Sequence, residues 1–202
     1  MSNDTAVIGW GSLIWDPRNL KINSKTWYTD GPRLPIEFAR KTNDNRITLA
    51  IYPPYLLHPE KWVTTYWNFM DVKSIDEARV NLQNREGCPT VNSIGYLYNC
   101  GTSSKNYEIS EIIRNWMKNK GISSVVWTDL GFNINLDEVI IHLKSLRGKV
   151  YKEARKYILK TPIQTKTPKR HELELFLSSW KDHQTKNNYR LTPKSLTKKF
   201  DY

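Results

Sequence analysis

The sequence predicts a mixed α+β fold, with strands and helices interleaved first and helices alone toward the C-terminal end. Apolar runs bounded by turn residues recur through the first 128 residues, which is typical of strands. Two segments with helical spacing of apolar residues lie among them. From residue 135 onward we find only helical spacing. The length of 202 residues suits one well-buried domain and is short for two.

The predicted strands are bounded by glycine or by polar turns. Ala6 to Trp10 is an apolar run that ends at a glycine-containing turn, as expected for a buried strand followed by a loop. The polar stretch Thr42-Asn43-Asp44-Asn45 predicts a hairpin turn between two further strands. The remaining strand predictions cover residues 34–39, 46–52, 62–70, 93–99 and 122–128.

Capping residues mark where the predicted helices begin and end. Ser74 and Glu77 form a capping box, and Gly87 stands where a C′ glycine would end the same helix. An apolar stripe over 109–117 predicts a second helix that ends at Gly121. Three more helices are expected to begin at Asn135, after the break at Gly148, and at Thr167-Pro168.

Positive charge is confined to the C-terminal part of the chain. Residues 1–143 contain 15 Lys+Arg and 15 Asp+Glu, whereas residues 144–202 contain 16 and 5, which accounts for the net charge of +11. We expect a main domain at 1–147 and a basic helical extension at 148–202 packed on it, with 184–202 a loosely held tail. Such a basic region indicates nucleic acid as a possible partner, although a solvated helical face is the commoner explanation.

Composition excludes several classes of protein. A hydrophobic content of 39% with eight Trp and eleven Tyr is that of a globular chain. No run approaches the roughly 18–20 apolar residues of a membrane span, and the N-terminus carries acid where a secretory signal carries base, so we expect a cytoplasmic protein without membrane contact. Two cysteines, Cys88 and Cys100, are too few for a disulfide scaffold. No histidine pair has metal-ligand spacing, so no metal or cofactor is expected; the histidines are His58, His142, His171 and His183.

The first candidate site is the segment Gly9-Trp10-Gly11-Ser12-Leu13, directly after the first predicted strand. Two glycines and a serine let the backbone turn sharply and aim successive N–H groups at one point, which forms a nest for an anion or a developing oxyanion. The spacing differs from that of a dinucleotide-binding or phosphate-binding loop. The alternative is a turn that only ends the strand.

The second candidate is Glu86. It lies four residues after Leu82 on the apolar face of its helix, and in the last turn, where the backbone carbonyls are negative. Both conditions disfavour the charged carboxylate, which suits a proton carrier. We expect Arg85 to project at a different angle, so that it need not neutralise Glu86. The alternative is a solvated glutamate at a frayed helix end. Glu37 and Arg40 lie on a strand expected to line a pocket, and a structural ion pair is the favoured explanation of those two.

Taken together and in this order, the two segments resemble the γ-glutamylcyclotransferase-like superfamily. Its members begin with a strand ending in Tyr-Gly-Ser-Leu or Tyr-Gly-Ser-Asn, and a catalytic glutamate follows at the end of a helix. This chain has Gly-Trp-Gly-Ser-Leu-Ile-Trp-Asp-Pro at 9–17 and Leu-Gln-Asn-Arg-Glu-Gly at 82–87. The first segment is most similar to the glutathione-degrading branch. The resemblance covers roughly residues 5–100, and the rest is similar to uncharacterised bacterial members.

The resemblance implies a mixed barrel-like β-sheet with flanking helices, and a pocket between the glycine loop and the glutamate. In that family the α-amine of a γ-glutamyl group attacks its own side-chain carbonyl, which releases 5-oxoproline and an amine. Glu86 would carry the protons. The loop would hold the substrate through its main-chain amides, and its residues are Trp10, Gly11, Ser12 and Leu13. No cofactor or metal is required.

Two departures from the family pattern and two rival functions accompany this resemblance. The Gly-Gly-Tyr-type segment that the glutathione-degrading branch has soon after its catalytic glutamate is absent here. Trp10 stands where the family has Tyr, so the aromatic wall is kept and the phenol hydroxyl is lost. The first rival is a non-catalytic binding or regulatory protein on this fold, with the basic C-terminal region contacting nucleic acid. The second is a pseudoenzyme that senses a γ-glutamyl ligand without turnover.

Overall fold

The computed structural model describes residues 4–98, 101–103 and 106–188. Nine strands lie in this part of the chain: β1 Thr5–Gly9, β2 Arg33–Leu34, β3 Ile36–Lys41, β4 Ile47–Ile51, β5 Val63–Thr64, β6 Tyr66–Phe69, β7 Ile94–Tyr98, β8 Gly101–Ser103 and β9 Ser124–Thr128. The α-helices are α1 Ser12–Trp15, α2 Ile75–Glu86, α3 Tyr107–Lys120, α4 Leu136–Ser145, α5 Gly148–Lys160 and α6 Pro168–Asn188. Within the described ranges, none of these helices is long and apolar enough to cross a membrane.

The strands form three sheets. The largest has the order β6-β1-β9-β7-β8, with β1 parallel to β9 and antiparallel to β6. The hairpin β3–β4 and the pair β2–β5 are separate two-stranded sheets. The mixed α+β class is therefore confirmed. The barrel-like sheet is not found among the described strands, because the two small sheets pair only within themselves and leave every sheet open.

Local sequence signals account for the ends of α2. Ser74 Oγ accepts a hydrogen bond from the Glu77 amide at 3.2 Å, as a capping residue should. The Glu77 carboxylate accepts from the amide of Lys73 rather than from that of Ser74, so the predicted capping box is only half formed. Gly87 ends the helix in the left-handed conformation, with φ of 66°. These caps determine where the last turn of α2 lies.

The C-terminal helices share the core of the sheets. Tyr157 and Ile158 of α5 and Leu173 of α6 are buried in the same hydrophobic cluster as Phe38 of β3. A second cluster packs Leu82 of α2 against β1 and β9. The predicted tail begins at 184, yet α6 continues to Asn188, and residues 189–202 lie outside the described part. Cys100 and the side chain of His183 also lie outside it.

Candidate functional site

A cavity of about 480 Å³ lies where the end of β1, the β3–β4 hairpin, the last turn of α2 and one face of α5 meet. Its volume is that of a small-molecule site. The cavity is lined by Trp10, Ser12 and Leu13, which span the bend after β1 and the first residues of α1, and by Glu86 from α2; residues 10–13 are called the glycine loop. Gly11 lies behind this lining, against Tyr157. The fold therefore brings the two segments singled out in the sequence to one cavity.

The bend after β1 depends on Gly11. Its φ of 61° and ψ of −139° belong to a region that side chains other than glycine rarely adopt, and a Cβ at this position would overlap Tyr157 Oη. The amide of Ile14 then donates to the Gly11 carbonyl at 3.2 Å, and that of Asp16 donates to the Ser12 carbonyl at 2.9 Å. These bonds coil the chain into the single turn of α1 immediately after the strand.

Glu86 faces the cavity from the last turn of α2, and its side chain is 20% exposed. It is therefore mostly shielded by its neighbours. Arg85 contacts it directly, with 2.9 Å between Arg85 Nη1 and Glu86 Oε1. The expectation that Arg85 projects away from the carboxylate is wrong, because the buried Arg85 side chain turns across the end of the helix to reach it.

Arg85 also joins α2 to the loop after β1. Its Nη2 donates to the Asp16 carbonyl at 2.7 Å and to Ser12 Oγ at 3.3 Å. Only 3% of the side chain is exposed, so these contacts are made away from bulk water. One guanidinium group thus connects both candidate segments. Sequence reasoning missed this role because neighbouring residues on a helix project about 100° apart.

Tyr157 is a second site residue that sequence reasoning placed only in the core. Its hydroxyl accepts from the Leu49 amide at 3.4 Å, and its ring packs edge-on against Trp15 with centroids 5.4 Å apart. Burial raises the pKa of Tyr157 to about 12, and the negative charge of Glu86 adds to the shift, whereas main-chain amides at Leu49 and Ser12 oppose it. The phenol therefore keeps its proton at neutral pH and can donate it in a hydrogen bond.

The strand that carries Glu37 and Arg40 contributes one residue to the cavity. Arg40 lines it and donates to the Gly131 carbonyl at 2.6 Å. Glu37 is fully buried elsewhere, where it accepts hydrogen bonds from Thr167 Oγ1 and from the amide of Lys169 at 3.0 Å. The predicted ion pair between them is wrong, because the start of α6 supplies the donors that the buried carboxylate needs.

Comparison with family models, with curated proteins and with solved structures finds no match for this chain. Within residues 4–98, 101–103 and 106–188, no three His, Cys, Asp or Glu side chains are placed to hold a metal ion.

Proposed function

We propose that this protein is a γ-glutamylcyclotransferase-like enzyme, which converts the γ-glutamyl group of an amine or peptide to 5-oxoproline. One observation carries the proposal: Glu86 and the Trp10–Leu13 loop line the same cavity, although they come from distant parts of the chain. The reaction needs a shielded carboxylate beside a loop that can hold the substrate, and the two segments meet at this cavity.

The reaction requires proton transfer and positioning, and the substrate supplies the nucleophile. Glu86 takes a proton from the α-ammonium group, and the free amine then attacks the γ-carbonyl carbon to close a five-membered ring. The bond from that carbon to the leaving nitrogen breaks, and Glu86 returns the proton to this nitrogen. Holding the substrate folded, with amine and carbonyl in contact, supplies much of the acceleration.

Two neighbours support these roles of Glu86. Arg85 is a positioning residue, since it holds the carboxylate at 2.9 Å and is itself anchored on Ser12 and Asp16. Tyr157 keeps its proton and adjoins the glycine loop, so its O–H is suited to donate to the oxygen that becomes negative in the tetrahedral intermediate. Tyr157 thus supplies a phenol hydroxyl, which the family pattern has at the position of Trp10.

The deciding experiment measures 5-oxoproline release from a panel of γ-glutamyl amines and peptides, with wild type and Glu86→Gln. The amide is nearly isosteric and cannot carry the proton, so we expect kcat to fall by roughly 10²–10⁴-fold. Circular dichroism and thermal unfolding should stay close to wild type.

Glu153→Gln is the matched control. Glu153 also lines the cavity, so the variant makes the same charge change there, and we expect it to retain turnover. Full turnover by Glu86→Gln would remove Glu86 from the mechanism. A wild-type protein that binds the panel without releasing 5-oxoproline would be a sensor and not an enzyme.

A further inference from the structure

Two walls of the cavity carry cations that the proposed proton transfer does not use. Arg40 and Arg46 come from the β3–β4 hairpin, and Lys156 and Lys160 come from α5. The two lysines are four residues apart, so they lie on one face of α5, the face that also carries Tyr157. We call Arg40, Lys156 and Lys160 the cationic cluster.

No carboxylate in the described part of the chain forms an ion pair with any member of the cationic cluster. Arg40 donates a hydrogen bond to the neutral Gly131 carbonyl, whereas Arg46 pairs with Asp44 at 2.8 Å. Two of the carboxylates that line the cavity are already paired, Asp16 with Arg18 and Glu86 with Arg85. Among the described residues of the lining, Glu153 is the remaining acid, so one negative charge stands against three positive charges and the cavity keeps a positive excess.

Like charges beside one cavity repel one another, and a ligand of opposite sign relieves that repulsion. Lys156 and Lys160 are exposed on α5, and together with Arg40 they give this concave site a positive potential that salt screens. Arg40 is half-buried, which makes its charge less screened than that of an ordinary surface arginine. The cavity is therefore complementary to a ligand with more than one negative charge.

A γ-glutamyl head group does not supply this charge. Its α-ammonium and α-carboxylate cancel, and the γ-carbonyl is neutral. The negative charge must therefore lie on the other part of the substrate, the amine that leaves.

On the basis of the proposed function, we infer that the cationic cluster is the subsite for the leaving amine, and that this amine carries at least two negative charges, from carboxylates or from a phosphate. The substrate is then a γ-glutamyl derivative of an acidic amino acid or of a phosphorylated amine. Recognition of the leaving group comes from the hairpin and α5, whereas chemistry occurs beside α2.

The test compares kcat/KM of the full chain for three γ-glutamyl compounds. They are γ-glutamyl-glutamate with a dicarboxylate leaving group, γ-glutamyl-O-phosphoserine with a phosphate, and γ-glutamyl-alaninamide without negative charge. We expect at least one acidic compound to exceed the amide by on the order of tenfold at low salt, and the preference to shrink as KCl is added. Preference for γ-glutamyl-glutamate would identify carboxylates as the group that the cluster binds, and preference for γ-glutamyl-O-phosphoserine would identify phosphate.

The variants test which charges are responsible. In the double variant Lys156→Gln/Lys160→Gln, the preference for the acidic compound over the amide should fall by roughly tenfold. The matched control is Lys149→Gln/Lys152→Gln, which makes the same charge change at exposed positions of α5 outside the cavity lining. The control should keep the wild-type preference.

Two outcomes overturn the inference. One is equal kcat/KM for the amide and both acidic compounds, and the other is an equal loss of preference in the two double variants. If no compound yields 5-oxoproline, the proposed function fails, and calorimetric titration with γ-glutamyl-glutamate then decides. Binding that is lost in Lys156→Gln/Lys160→Gln and kept in the control supports an anion subsite without turnover, and the same affinity in both overturns it.

Discussion

Arg85 makes hydrogen bonds to both halves of the site, to Glu86 on its own helix and to Ser12 and Asp16 after β1. Its Nε is buried without a partner among the described residues, so the guanidinium is held by its two terminal nitrogens. A lysine has no planar fork and cannot make both sets of bonds in this geometry. The position therefore requires the shape of arginine as well as its charge.

Replacing Arg85 by Met should lower both stability and turnover. The change leaves the Asp16 carbonyl and the Glu86 carboxylate without their donor. We expect this to lower the free energy of unfolding by about 1–3 kcal/mol. Urea unfolding measures this loss. In the Glu86→Gln background the loss should be smaller, since the ion pair is already gone, and strictly additive losses would show that the two side chains are not coupled.

Tyr157→Phe should reduce kcat by roughly 10²-fold or more, as expected when a donor to the developing oxyanion is removed. Because the pKa of Tyr157 is about 12, wild-type turnover should show no loss from ionisation of this phenol below about pH 11. The pH dependence of kcat checks both statements.

Tyr151→Phe is the control for that variant. Tyr151 lies on the same helix, and its buried hydroxyl has no partner in the described chain, so its removal should leave turnover unchanged and be neutral or stabilising. Equal activity of Tyr157→Phe and Tyr151→Phe would show that the Tyr157 hydroxyl does not act in the reaction.

The N-terminus of helix α6 is capped by a carboxyl group from another element. Its first turn carries no acidic residue, and Glu37 of β3 accepts instead from Thr167 Oγ1 and the Lys169 amide. A carboxylate at this end is favoured by the helix dipole. Burial nevertheless dominates and raises the pKa of Glu37 above its usual 4.5, with the hydrogen bonds opposing the shift.

This raised pKa makes stability depend on pH in a specific direction. Above pH 4.5 the unfolded chain releases the Glu37 proton, whereas the folded chain still retains it. The contribution of Glu37 to the free energy of unfolding is therefore complete below pH 4.5. It is lost as pH rises through the pKa that Glu37 has in the folded chain. In urea unfolding from pH 4 upward, the free energy of unfolding of wild type should fall relative to that of Glu37→Gln as pH rises. An unchanged slope in the variant would contradict the assignment.

Considered as a whole, the molecule builds its cavity from residues between Ile8 and Lys160. A chain ending at Asn188 keeps all of them and loses Arg190, Lys194, Lys198 and Lys199. We therefore expect this truncation to leave 5-oxoproline release unchanged.

The same truncation tests the rival partner. Any salt-dependent retention of the full chain on DNA or RNA should weaken after truncation, since four cations are removed. A loss of turnover with the fold intact would instead place part of 189–202 in the function of the site.

Sequence alone was enough to locate most of the helices and strands and the two segments of the candidate site. It did not predict α1, β2 or β8, and the single strand predicted at 62–70 is divided between β5 and β6, which lie in different sheets. Ser74, Gly87 and Gly121 act on the backbone within a few residues, so helix ends follow from the sequence beside them. The glycine bend after β1 is local in the same way, because the φ of Gly11 is a property of one residue.

Folding in three dimensions decided which side chains meet. The turn of Arg85 onto Glu86, the approach of Tyr157 to Gly11, and the capping of α6 by Glu37 each join elements or faces that sequence spacing does not relate. The open sheets follow from strand pairing between distant segments, which alternation of apolar residues cannot specify. The physical reason is that a helix or strand pattern determines which face is buried, whereas the neighbour against which it is buried is set by the packing of the entire chain.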